Sequence, residues 1–183
     1  MAMAYPSYEE WKGSLTPEVR ATVEEQVEEM RRLGYDEPEL TVRSEVSENF
    51  PQRAKFLLLR KIWSDAIDAW RDGVSNWIAR YLKFQKEDPD GCFSDAGAAL
   101  RRMRDVGVSE TDIASVARMV AYETAFSVVY MLDYGRNEHA PKHMPGWGLF
   151  ETNQNGDSTG RDMDGLHESI LSADPSGREG RVR

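Results

Sequence analysis

Five aromatic residues recur at seven-residue intervals between Pro51 and Lys86, and this spacing constrains the fold more than any other feature of the sequence. On an α-helix a seven-residue step drifts by only about 20° per repeat, so the five rings share one slowly turning stripe. The stripe consists of Phe56, Trp63, Trp70, Trp77 and Phe84. Ala66 and Gly73, three positions after two of the tryptophans, leave room for a neighbouring helix. We therefore predict one long helix over residues 51–86 whose aromatic side builds the core.

A second major helix is predicted over residues 112–134. Ser109 and Asp112 form a capping pair at its start. From Ala125 onward this segment is apolar on nearly every side, which is typical of a helix in the interior of a protein. We expect it to be the most buried helix and to pack against the aromatic stripe.

The first fifty residues are predicted to contain two helices and a long connection. Ser7 and Glu10 form a capping box, and the pair Thr16-Pro17 marks the start of a helix that ends at Gly34. Residues 35–50 show no sustained helical period, so they are expected to cross the surface as an irregular segment.

After Gly135 the composition changes to loop and strand signals. Two short strands, residues 147–152 and 158–161, are joined through the Asn155-Gly156 turn. A short helix is expected over residues 166–172, followed by a basic tail, residues 178–183, that is expected to be mobile. The predicted fold is therefore all-α: a single helical domain with a small C-terminal β-hairpin, divided into segments 1–50, 51–135, 136–177 and 178–183.

Composition excludes several classes of function. The chain has 183 residues, a formal net charge of −9 and one cysteine, Cys92, so it cannot form an intrachain disulfide. The start of the sequence lacks a secretory signal, and its longest uncharged stretch in an apolar helix is too short to span a bilayer. We expect a cytoplasmic location, no membrane contact and no direct nucleic-acid binding, because the phosphate backbone repels an acidic chain.

The acidic side of the helix that starts at Thr16-Pro17 is the candidate surface for a basic protein partner. Four glutamates lie opposite its valines, namely Glu24, Glu25, Glu28 and Glu29. Such a surface can steer a basic partner by long-range attraction. The alternative is that these charges serve only solubility.

The carboxylate of Glu123 is unusual because it lies midway along the most apolar predicted helix. Ser127 and Tyr130 follow on the same side, so the three residues could line a polar pocket. The alternative is a structural ion pair between Glu123 and a basic residue such as Arg118 or Arg60.

Further candidate ligand-binding residues lie after the helix predicted over residues 112–134: Arg136, His139, His143, Trp147 and His167. Pro141 separates the first two histidines and prevents the presentation of a helical zinc pair, so no metal site and no cofactor are predicted. The sequence also lacks a nucleophile elbow, a phosphate-binding loop and a dinucleotide fingerprint, and no catalytic residue is assigned.

The C-terminal run contains residues 146–151, Thr159-Gly160-Arg161, Gly165-Leu166-His167-Glu168 and Asp174-Pro175. Over about the last 60 residues it resembles small uncharacterised bacterial helical proteins, some of them encoded near toxin or defence systems. The resemblance implies a binding role and carries no catalytic residue.

Three functional hypotheses follow. The first is a cytosolic bacterial protein-binding module, of the immunity or antitoxin type, that meets a basic partner with its acidic surface. The second is an enzyme or small-ligand-binding protein with a pocket around Glu123 and residues 136–168. The third is an architectural homo-oligomer subunit.

Overall fold

The computed structural model describes residues 6–68, 73–136, 141–177 and 179. Over these residues the chain is mainly helical with one small antiparallel sheet near its C-terminus, which confirms the all-α fold with an appended hairpin. The helices are α1 Tyr8–Ser14, α2 Pro17–Arg32, α3 Pro38–Glu48, α4 Gln52–Ile62, α5 Val74–Glu87, α6 Ser94–Asp105, α7 Glu110–Tyr134 and α8 Leu166–Ser169. A π-helical turn, Trp63–Ile67, follows α4, and the strands are β1 Phe150–Thr152 and β2 Ser158–Asp162.

The described helices include none that is long and apolar enough to cross a membrane.

The chain divides into two units. Unit 1 contains residues 1–60 and 129–183, and unit 2 contains residues 61–128. Both α4 and α7 contribute residues to each unit. The single-domain organisation stays a prediction.

The helix starts near the N-terminus follow their local signals. Ser7 and Glu10 form the capping box, with the Ser7 amide donating to Glu10 at 2.8 Å. Thr16 accepts a hydrogen bond from the amide of Val19 at the start of α2. Both predicted helix starts are confirmed. Each cap involves only residues three positions apart, so the local sequence is enough to predict it.

The prediction of an irregular connection over residues 35–50 is wrong, because α3 occupies most of it. Pro38 stands in the first turn of α3, and Asn49 ends the helix with a left-handed φ of 59°. The buried residues of α3 are Pro38, Val42 and Glu45, whose steps of four and three define one helical side. Because one of these buried residues is a glutamate, the spacing of apolar residues alone does not reveal the helix.

The prediction of one long helix over residues 51–86 is also wrong. The α-helix gives way to a π-helical turn at Trp63, and neither Asp68 nor Gly73 has helical backbone angles. Of the aromatic stripe, Phe56 and Trp63 are buried, Trp77 is partly buried and Phe84 is half exposed. Trp70 lies outside the described residues. Gly73 has a φ of −137° and lies directly before α5, so no helix runs through it.

Unit 2 has a small core formed by Ile78, Leu100 and Ile113. Around it pack partly buried residues of α5, among them Trp77 and Tyr81. A Cβ atom on Gly97 would lie 2.5 Å from the Tyr81 carbonyl oxygen, so only glycine allows α5 and α6 to approach this closely.

The expectation that α7 is the most buried helix is wrong. Only Ile113 and Val129 are buried among its 25 residues. Within the described residues, α7 packs on the stripe at Trp63, whose ring centroid lies 6.0 Å from that of Tyr122. The apolar residues on the other side of α7 face solvent.

The C-terminal hairpin is confirmed. β1 and β2 pair antiparallel, with Phe150 opposite Asp162 and Thr152 opposite Ser158. Asn153 Oδ1 accepts the amides of Asn155 and Asp157 and so closes the turn. The short helix predicted over residues 166–172 is present as α8 and ends at Ser169. The predicted mobile tail, residues 178–183, lies outside the described residues except for Glu179.

Candidate functional site

One side of α7 is exposed over the part of the helix that belongs to unit 2. Seven residues between Val116 and Val128 are exposed, and together they are called the α7 face: Val116, Met119, Val120, Glu123, Thr124, Ser127 and Val128. They recur at helical spacing, so they share one side of the helix. Glu123 is the only charged residue among them.

The α7 face is apolar to an extent that is unusual for a solvated helix. Val116, Met119 and Val120 expose 60%, 54% and 51% of their surface. Single exposed apolar residues are ordinary, but a contiguous apolar patch marks an interaction site. A helix that is apolar nearly all round normally has protein on both sides.

The opposite side of α7 shows how the helix is held within unit 2. Arg118 donates from Nε to Asp68 at 2.8 Å, and its guanidinium lies 5.2 Å from the Trp63 ring. These contacts fix the rotation of α7 about its axis. The α7 face is therefore directed outward by specific contacts.

A second group of side chains lies in unit 1 at the end of α7. Asp133 is 2% exposed, and its Oδ2 accepts from the backbone amide of His167 at 2.8 Å and from the His167 ring at Nδ1 at 2.5 Å. Its other oxygen, Oδ1, is buried and has no hydrogen-bond donor among the described residues. Because a carboxylate oxygen accepts, this contact pairs with a proton on Nδ1 and fixes the imidazole orientation.

Two tyrosines and a lysine surround this Asp133–His167 pair. The Tyr130 ring is 5.0 Å from the His167 ring, and Tyr134 stacks on Tyr130 at 4.3 Å. Lys55 donates to the carbonyl oxygens of Asp164 and Gly165, and burial lowers its pKa against the opposing effect of nearby carboxylates. Every polar contact described here joins α8, or the residues before it, to α4 or α7.

The loop before β1 is fixed to the end of α7 through Trp147. The indole Nε1 donates to the Met131 carbonyl at 2.8 Å, and the Trp147 amide donates to the Gly135 carbonyl at 2.7 Å. A Cβ atom on Gly146 would lie 2.3 Å from that same Gly135 oxygen. The role of Trp147 in these contacts is structural.

The structure brings together some of the predicted pocket residues and separates others. Tyr130 and His167 are in contact, whereas Arg136 and His143 are exposed in the segment after α7. His139 lies outside the described residues. Glu123 and Ser127 belong to the exposed α7 face, so the expectation that Glu123 is a buried carboxylate is wrong. The rotation of α7 set by Arg118 turns Glu123 toward water.

The basic residues expected beside Glu123 have other partners. Arg118 pairs with Asp68, and Arg60 donates to the Gly34 carbonyl while its guanidinium lies 4.8 Å from the Phe56 ring.

The four glutamates of α2 are exposed, but three of them lie beside bases of the same chain. Glu24 is 3.8 Å from Lys12, Glu28 is 2.6 Å from Arg31, and Glu29 is 3.4 Å from Arg53. Partial neutralisation by these bases weakens the field that α2 presents to a partner.

Sequence reasoning missed a buried ionic cluster that joins α3, α4 and the hairpin in unit 1. Glu45 is 5% exposed and accepts from the Arg53 amide at 2.9 Å and from Arg53 Nε at 3.1 Å. Arg161 lies between Glu45 and Glu151 and bonds to both. The only sequence signal is the helical step from Val42 to Glu45, which matters once α3 is known to be a helix. This cluster holds the hairpin on the helices.

The described residues contain no group of three or more His, Cys, Asp or Glu side chains placed to hold a metal ion. Comparison with known proteins adds no relative, because no family model, curated protein or solved structure matches this chain.

Proposed function

We propose that this chain is a protein-binding module and that the α7 face is its contact surface. The observation that supports this most directly is the exposure of Val116, Met119 and Val120, at 60%, 54% and 51%, on a helix held firmly from its other side. Exposed apolar side chains of this number on one helical side gain stability when a second protein covers them.

The α7 face supports this function better than the acidic side of α2 does. The α2 glutamates lie largely beside bases of the same chain, and surface charges chiefly alter association rates. Apolar residues at the centre of an interface supply most of the affinity. The narrower proposal of an immunity or antitoxin-type inhibitor needs a basic partner, and it depends on α2.

The Asp133–His167 pair supports anchoring of α8 better than it supports ligand binding. One carboxylate oxygen accepts both the backbone amide and the ring nitrogen of His167, so the pair ties α8 to the end of α7. The ligand-binding alternative has no comparable observation in its favour.

Site-specific photo-crosslinking in cells tests the proposed function. Val120 is replaced by p-benzoylphenylalanine, and Asp105, an exposed residue of α6, receives the same replacement as the control. We expect a covalent protein adduct from position 120 that is lost when Val116→Glu is added, and none from position 105. No adduct at position 120, or equal adducts at both positions, would contradict the proposal.

A further inference from the structure

We infer that a cavity in unit 1 binds a free amino acid with an aromatic side chain. The cavity lies beside the segment that joins α2 to α3, and it is lined by a guanidinium and two carboxylates that do not pair with one another. It is separate from the pocket predicted around Glu123 and residues 136–168. It also goes beyond the proposed function, because the α7 face belongs to unit 2.

The cavity has a volume of about 420 Å³ and is open to solvent on one side. Cavities of this volume hold small molecules, and a few polar groups among apolar walls fix the orientation of the ligand. Five of the lining residues decide what fits: Tyr35, Asp36, Glu37, Phe56 and Arg60.

Arg60 is held at the wall of this cavity by two contacts. Its Nη2 donates to the Gly34 carbonyl at 2.9 Å, and its guanidinium lies 4.8 Å from the centre of the Phe56 ring. The bond to Gly34 uses one of the five N–H groups of the guanidinium, and Nε is buried without an acceptor among the described residues. No carboxylate in the described part of the chain lies within ion-pair distance of Arg60. The guanidinium therefore keeps its charge for a ligand carboxylate, the group it binds most strongly.

The negative charge in this cavity comes from Asp36 and Glu37. Both residues are exposed, and within the described ranges neither has a basic side chain at ion-pair distance. They line the same cavity as Arg60 without reaching it. A ligand with both a carboxylate and an ammonium bridges this gap, with its carboxylate on Arg60 and its ammonium beside Asp36 and Glu37. A free amino acid is the simplest molecule of this kind.

The aromatic wall determines the side chain of the ligand. Tyr35 packs edge-on against Phe56, with ring centroids 4.4 Å apart. Phe56 is 4% exposed, whereas Tyr35 is partly exposed and lines the cavity. Contacts between aromatic rings contribute more than their buried area alone, so an aromatic side chain gains most from this wall.

A ligand with a single charge fits the cavity less well. Acetate or phosphate would pair with Arg60 but would bring a negative charge near Asp36 and Glu37. A simple amine would pair with these carboxylates but would be repelled by Arg60. In both cases the like-charge repulsion opposes the attraction, whereas a zwitterion meets only opposite charges.

Isothermal titration of the full chain with three related molecules tests the charge requirement. L-phenylalanine carries both charged groups, 3-phenylpropionate lacks the ammonium, and 2-phenylethylamine lacks the carboxylate. We expect L-phenylalanine to bind about tenfold or more tightly than either of the others, because each of them loses one charge-assisted contact. No binding of L-phenylalanine at millimolar concentration, or equal affinities for the three molecules, would overturn the inference.

Replacement of the two carboxylates tests where the ammonium lies. Asp36→Asn with Glu37→Gln should weaken L-phenylalanine binding by about tenfold and should not weaken 3-phenylpropionate binding. Both residues are exposed and no side chain caps α3, so the fold does not depend on them. Asp162→Asn with Glu18→Gln removes two charges from other exposed positions and is the matched control. Equal losses of L-phenylalanine affinity in the two double variants would overturn the inference.

Arg60→Lys tests where the carboxylate lies, because it keeps the positive charge but removes the planar arrangement of donors. It should weaken the binding of L-phenylalanine and 3-phenylpropionate by about tenfold and leave 2-phenylethylamine binding unchanged. An equal loss for all three molecules would show that Arg60 only holds the end of α2, and it would overturn the inference.

Discussion

Asp133 Oδ2 accepts both the backbone amide and the ring Nδ1 of His167, so a single buried oxygen of α7 determines the position of α8. Hydrogen bonds to a carboxylate are stronger than bonds between neutral groups. Leu166 in α8 and Ile170 directly after it add buried side chains to unit 1. The Asp133–His167 pair thus holds in place a segment that also buries apolar side chains.

The first prediction concerns the removal of the Asp133 carboxylate. Asp133→Ala should lower the free energy of unfolding by about 2–4 kcal/mol, since it removes two charge-assisted hydrogen bonds to a partly buried residue. Urea unfolding measures the change. Asp162→Ala, which truncates an exposed aspartate of β2, is the control and should change stability by less than about 0.5 kcal/mol. Equal effects of the two substitutions would show that the Asp133–His167 pair does not hold α8.

The aromatic stripe gives the second prediction. Trp63 is 1% exposed, and Trp63→Ala should destabilise the protein by about 3–5 kcal/mol, as large aromatic truncations in cores do. Phe84→Ala provides a control within the same stripe, because Phe84 is 48% exposed. We expect it to cost about 1 kcal/mol. If thermal or urea unfolding showed similar losses for both, burial would not explain the role of the stripe.

Local features of the fold could be predicted from the sequence, whereas features that depend on tertiary contacts could not. The capping box at Ser7 and the start of α2 at Thr16 were predictable, because a cap needs only residues three or four positions apart. The hairpin turn was predictable for the same reason. The helix α3 was not predictable, because its buried side includes Glu45. That glutamate is buried because Arg53 in the next helix and the distant Arg161 both bond to it.

The candidate site shows the same limit. The apolar character of α7 was evident in the sequence, but its position was not, since a helix that is apolar on all sides fits the centre of one chain or the contact between two. Arg118 and its bond to Asp68 decide which side of α7 faces outward. That pairing joins residues fifty positions apart and has no signature in the local sequence. The contact between Tyr130 and His167 depends on Asp133 in the same way.

The third prediction concerns the pH dependence of stability. Burial opposes ionisation of Glu151, but hydrogen bonds from Arg161 and Thr159 outweigh it and lower the pKa of Glu151 below its ordinary value of 4.5. The folded state therefore binds fewer protons than the unfolded state near this pH, and stability rises with pH through this range. The contribution is present above about pH 4.5 and is lost as the pH falls through the folded pKa.

The measurement compares wild type with Glu151→Gln by urea unfolding at several pH values. The difference in free energy of unfolding should be largest near neutral pH and should shrink below about pH 4.5. Glu18→Gln, in the exposed first turn of α2, is the control. A difference for Glu151→Gln that stays constant from neutral to acidic pH would contradict the assigned effect of Arg161.

The fourth prediction separates binding through the α7 face from binding of a basic partner to α2. Replacing Glu24, Glu25, Glu28 and Glu29 together by glutamine should leave the photo-adduct at position 120 unchanged, because none of the four residues lies on the α7 face. The same change should reduce the association rate of a basic partner that binds α2 by about tenfold at low salt, and added salt should slow that association as well. Val116→Glu should produce the opposite pattern, loss of the adduct with no change in a rate governed by α2. Loss of the adduct at position 120 in the variant with four glutamines would contradict the assignment of the contact to the α7 face.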